Sequence, residues 1–155
     1  MNALPPGTRI LIVADNASVR FGGEAILPLH HFTRLARRGL DVRLLTHERN
    51  RAELTRTLPD LAERIRYTPD TVLHRLLWRL AAPLPGVIRD HLFGNLMGLL
   101  TMHQQRRAIR AMQRDWPVDL IHQPTPVSPA APSALHGFGV PVIIGPMNGG
   151  MQFPP

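Results

Sequence analysis

Continuous apolar runs and helix-spaced apolar positions alternate along this chain. Arg9-Ile-Leu-Ile-Val-Ala14 is rich in β-branched residues and carries no polar residue after Arg9, the pattern of a strand covered on both faces within a parallel sheet. Beyond a polar stretch, Leu29, Phe32, Leu35 and Ala36 recur at helical spacing and predict an amphipathic helix over 25–38. Gly39 stands where a left-handed residue ends a helix. Pro28 must occupy the first turn or bend the helix, because it lacks an N–H. Further strands are predicted over 41–46, 64–68, 118–122 and 140–145. Further helices are predicted over 51–58, 70–80 and 87–114, with Pro59 closing the first and Pro83 and Pro85 separating the other two.

Strands alternating with helices imply right-handed crossovers and a parallel sheet. The first strand is the most continuously apolar, so it belongs at the centre. A chain that reverses direction after the third strand then gives the order 3-2-1-4-5. The expected fold class is therefore α/β, a five-stranded parallel sheet flanked by helices, in one domain over residues 1–155. In such a sheet ligands bind beyond the carboxyl ends of the strands, which directs attention to loops 15–24, 47–51, 122–128 and 146–150.

Composition narrows the chemistry. The 18 basic residues are all arginine, and the formal charge is +7, which favours an anionic partner. Only 5% of residues are aromatic, so no stacking surface accompanies the arginines and a nucleic-acid partner is not expected. The absence of cysteine excludes disulfides, thiolate catalysis and cysteine-ligated zinc. The eight histidines show no H-x-x-x-H spacing, and no metal site is expected. Residues 1–8 lack a basic segment followed by an apolar run, so no secretory leader is expected and a cytoplasmic location is. Leu76, Leu77, Trp78, Leu80 and Leu84 sit among Arg75, Arg79 and Arg89. This is the pattern of an interfacial helix on an anionic membrane, or, as the favoured alternative, of core leucines with arginines reaching outward.

Three loops hold candidate groups. Arg20-Phe-Gly-Gly-Glu24 joins the first strand to its helix. Gly22 and Gly23 allow close backbone approach, and the helix start from Glu24 offers N–H groups to an anion. The loop is neither G-x-G-x-x-G nor a P-loop. His122 ends the fourth strand and could carry a proton or bind phosphate. The plainer alternative, a histidine that orders the proline-rich loop, is favoured by the residue alone. Asn148-Gly-Gly150 follows the fifth strand and suits a sugar hydroxyl, or else is an ordinary turn.

In order and spacing, three segments resemble the amino-terminal domain of family 4 glycosyltransferases, enzymes of the two-domain, Rossmann-like GT-B architecture. They are Gly22-Gly23-Glu24 with the helix ending Leu35-Ala-Arg-Arg-Gly-Leu-Asp-Val-Arg-Leu-Leu-Thr46, then Val118-Asp-Leu-Ile-His-Gln-Pro124, then Val140-Pro-Val-Ile-Ile-Gly-Pro-Met-Asn-Gly-Gly-Met151. The resemblance implies transfer of a sugar, with retention, from a nucleotide-sugar co-substrate to an acceptor hydroxyl, with no other cofactor. It places Gly22, Gly23 and Glu24 near the donor diphosphate, His122 near the reacting sugar, and Asn148, Gly149 and Gly150 with the substrate. The carboxyl-terminal donor domain of such enzymes is expected to be absent from these 155 residues, which alone are expected not to turn over. A separate donor domain would then be a partner. Contact with the inner membrane face is the less favoured expectation from the arginine and leucine pattern. The alternative is a non-catalytic Rossmann-like module that binds an anionic ligand or partner.

Overall fold

A computed structural model of the chain describes residues 5–86, 94–128 and 132–147. Five strands form one parallel sheet: β1 (Arg9–Val13), β2 (Asp41–His47), β3 (Ile65–Thr68), β4 (Leu120–Gln123) and β5 (Val142–Ile144). Their order is β3-β2-β1-β4-β5, as the sequence pattern predicts. All four pairings are parallel, with Ile12 opposite both Leu44 and His122. The arrangement is Rossmann-like. β1 is central because it alone can bury both faces along its length: Ile10 to Val13 are at most 2% exposed.

Strand parity divides the core in two. Ile10, Ile12, Val42 and Leu44 face Leu29 and Phe32 of helix α1 (Leu27–Arg37) and Leu54 of helix α2 (Arg51–Thr57). Leu11, Val13, Leu45 and Ile121 face Ile109 of the long helix α4 (Gly94–Asp115), together with Trp116, Val118 and Leu135. Between β3 and α4 runs helix α3 (Val72–Ala81). Burying a leucine- or isoleucine-sized side chain contributes about 1.5–3 kcal/mol, so both layers hold the sheet.

The ends of elements follow local chemistry. A 3-10 turn over Gly23–Ile26 precedes α1, which therefore starts two residues later than expected, with Pro28 in its first turn. Gly39 adopts φ +79° and its N–H donates to Ala36, while the Leu40 N–H donates to Leu35. This is the paired closure that satisfies the last carbonyls of a helix. Pro59 opens a further 3-10 turn, Pro59–Arg64, where its fixed φ suits the first position; the sequence pattern had shown it only as a helix stop. β4 begins at Leu120 because the preceding Asp119 is held by Arg9, through Nε at 3.0 Å and the backbone N–H at 2.9 Å. β5 begins after Pro141, which has no donor for the ladder. The predicted helix over 87–114 is seen from Gly94, and 87–93 lie outside the described residues.

The arginine and leucine segment divides differently from the favoured expectation. Leu77 and Ala81 are buried, but Leu76 and Leu80 are about half exposed, at 49% and 55%. Core packing therefore accounts for only one face of α3. Among the described residues no helix is long and apolar enough to cross a membrane.

Candidate functional site

The carboxyl ends of β1, β2 and β4 open into a cavity of about 840 Å³, closed on its far side by α3 and α4. The sheet side presents Asp15 and Asn16 after β1, His47 and Arg49 at the end of β2, and Gln123 and Thr125 from β4. Glu24 and Ala25 border it from the loop before α1. The helical side presents Arg75 and Arg79 of α3 and Met97, Gly98, Met102 and Gln105 of α4. The position agrees with the general rule for open parallel sheets.

A polar lattice fixes the sheet side. Asn50 Nδ2 donates to Thr46 Oγ1 at 2.9 Å and to the Asp15 carbonyl at 3.3 Å. Thr46 Oγ1 also donates to that carbonyl. Arg49 forms an ion pair with the Asp15 carboxylate. Gln123 Oε1 accepts from Ser133 at 2.6 Å, and Glu24 Oε2 accepts the Val127 N–H at 3.3 Å. Asp15 Oδ1 and Asn16 Oδ1 are shielded from solvent and have no hydrogen-bond partner. An acceptor left in this state costs about 1–3 kcal/mol.

The loop before α1 is organised by a residue far from it in sequence. The Glu53 carboxylate on α2 accepts the Ser18 hydroxyl at 2.7 Å and the N–H groups of Val19 at 2.7 Å and Arg20 at 3.2 Å. Ser18 Oγ in turn accepts the N–H groups of Arg20 and Phe21. Desolvation raises the Glu53 pKa, but the Ser18 hydroxyl, the two N–H groups and the Arg20 charge outweigh it, and the carboxyl is held below the usual range. The N–H groups of Val19, Arg20 and Phe21 are thus committed to protein acceptors. Gly22 is extended and Gly23 left-handed at φ +66°. Both are exposed and neither lines the cavity; of this loop's candidates, Glu24 does.

His122 lies on the opposite face of β4 from Gln123. Its Nε2 is 3.0 Å from the Gly145 carbonyl, and its ring meets His31 of α1 edge-on at 4.7 Å. It is half-buried and does not line the cavity. This is the geometry of a histidine that ties β4 to the loop after β5 and packs on α1. Burial, then the charges of His122, Arg34 and His30, lower the pKa of His31. Asn148, Gly149 and Gly150 lie outside the described residues. The structure therefore brings Glu24 and the β4 end to one cavity without gathering the whole predicted set there. The sequence pattern pointed to loops 15–24 and 122–128 without singling out Asp15, Asn16 or Gln123, and it read Arg75 and Arg79 as outward-reaching or membrane-facing charges. The first three carry a legible signal, since they sit directly at strand ends.

Among the described residues no group of three or more His, Asp or Glu side chains is placed to hold a metal ion. No protein-family model, curated protein or solved structure matches the chain.

Proposed function

We propose that this chain forms the acceptor-side wall of a glycosyltransferase cleft, in which a sugar passes with retention from a nucleotide-sugar to an acceptor hydroxyl. The observation that carries the reading is the cavity at the carboxyl edge of the sheet, with Asp15, Asn16, Glu24 and Gln123 on one wall. Carboxylates accept from hydroxyls, and amides both accept from and donate to them. The sequence resemblance points the same way. In this reading the acceptor occupies the cavity, and a second, donor-side domain supplies the nucleotide pocket. His122 acts as a positioning residue through Gly145. Asn148, Gly149 and Gly150 remain candidates for the substrate, and Gly22 and Gly23 for the donor diphosphate.

The second reading is a binding module without catalysis. It is favoured by the commitment of Val19, Arg20 and Phe21 N–H groups to Glu53 and Ser18, which leaves fewer donors for a diphosphate. A transfer assay separates the two. Labelled nucleotide-sugars are offered to the chain alone and combined with a carboxyl-terminal donor-side domain. Label entering an acceptor in the combined sample supports the glycosyltransferase. No incorporation across the nucleotide-sugar panel, with ligand still bound by the chain, supports the binding module.

A further inference from the structure

The cavity is built of two unlike parts. Its floor is apolar: Val13, Ala14, Ala25, Met97 and Met102 line it, and Gly98 adds no side chain. Its polar border carries Arg49, Arg75 and Arg79 against Asp15, Glu24 and Asp70. These formal charges balance, but they are not equally available. Arg49 and Asp15 neutralise each other, and Glu24 receives the Val127 N–H. Arg75 and Arg79 have no ion pair or hydrogen-bonded side-chain partner among the described residues. Four residues apart on α3, they share one face of the helix. Arg75 and Arg79, both exposed, therefore border an apolar cavity without an ion pair of their own, on a rim that also carries Glu24 and Asp70.

We propose that the cavity takes an anionic amphiphile, a ligand whose apolar body lies against the methionines of α4 and whose phosphate or carboxylate is clamped by Arg75 and Arg79. This names the substrate class of the same site and rests on that cavity being the acceptor pocket. Planar guanidiniums suit phosphate and carboxylate oxygens, to which they donate in pairs. Flexible, polarisable methionine adapts to unbranched apolar chains. A purely ionic ligand would leave the floor unfilled, and a neutral amphiphile would gain no charge-assisted contact from the two exposed arginines.

The test is calorimetric titration of the chain with octyl phosphate, octyl glucoside and inorganic phosphate, each below its aggregation limit. Octyl phosphate is expected to bind at least about tenfold more tightly than either of the others: octyl glucoside lacks a charge-assisted contact of about 1.5–3 kcal/mol, inorganic phosphate lacks chain burial of about 0.8 kcal/mol per CH₂, and 1.4 kcal/mol is tenfold. The double variant R75Q/R79Q should lose that advantage while its circular dichroism is unchanged. G98L is expected to fill the floor from the other side and exclude the ligand, because a Cβ at Gly98 meets nothing within 4 Å and starts into open space. Equal binding of octyl glucoside, equal binding of inorganic phosphate, or octyl phosphate affinity unchanged in G98L would each overturn the proposal. Transfer is scored separately. Sugar passed only to neutral acceptors removes this ligand class and leaves the glycosyltransferase reading. Tight octyl phosphate binding without transfer to any acceptor does the reverse.

Discussion

Glu53 on α2 holds Ser18 at 2.7 Å, across 35 positions of sequence, and through it shapes the loop that enters α1. Ser18 is fully buried, so its hydroxyl has no water to fall back on. E53A is expected to cost about 1–3 kcal/mol, the penalty for stranding a buried donor, read as a lower urea midpoint. Because the Glu53 carboxyl titrates below the usual range when folded, its contribution is fully present above the ordinary glutamate pKa. It is lost as pH falls through the depressed folded value. Wild type should therefore lose stability in acid more steeply than E53Q, and matching slopes would show that the carboxylate is not what holds the loop.

The His31 contribution begins to decline at a higher pH than that of Glu53. Burial and neighbouring cations lower its pKa, so the unfolded chain binds its proton first on acidification. The stabilisation is complete above the ordinary histidine value and declines as pH falls below it towards the folded pKa. Thermal melts from pH 8 to 5 should show this decline, and H31Q should flatten it.

His122 bonds Gly145 and faces away from the cavity. Where transfer can be measured, H122A should reduce it by less than the about 10²–10⁴-fold that loss of a proton-transfer group brings. H122Q, which keeps an N–H donor for the carbonyl, should recover most of the rate. A loss of that larger size in both variants would mean that the imidazole itself touches the reacting atoms.

Gly145 is held at φ +119°, and a Cβ there would lie 3.1 Å from the Met147 backbone nitrogen. G145A combines backbone strain with that contact and is expected to cost about 1–3 kcal/mol. Gly23, at φ +66° with open space around it, should tolerate G23N with a smaller loss, because asparagine visits the left-handed region readily. Chemical denaturation of the two variants side by side checks the ranking.

Asp70 shares the cavity border with Arg75 and Arg79. D70N should strengthen octyl phosphate binding by up to about fivefold, the range of an exposed charge pair, and the gain should vanish at high salt. Weaker binding in D70N would place Asp70 in contact with the ligand rather than against it.

Much of the fold was legible in local patterns. The apolar run Ile10 to Val13 identified the central strand, because only a strand between two layers can be apolar on both faces. Pro28 and Gly39 marked the ends of α1 through fixed backbone preferences. Crossover handedness then constrained the topology, and the strand order followed. Of the site, the sequence located the strand-end loops and, within them, Glu24.

Long-range geometry settled the rest. Parity along β4 sends Gln123 to the cavity and His122 to α1, and that parity is set by the pairing of His122 with Ile12, a relation between strands 110 residues apart. Glu53 fills the donors of the first loop from another helix. Arg75 and Arg79 stay exposed on α3, and only the packing of α4 beside that helix sets them at the border of an apolar cavity. Periodicity assigns a residue to a face of its own element. What that face meets depends on the register and packing of elements far away in the chain, and those decide whether a solvated charge also borders a cavity.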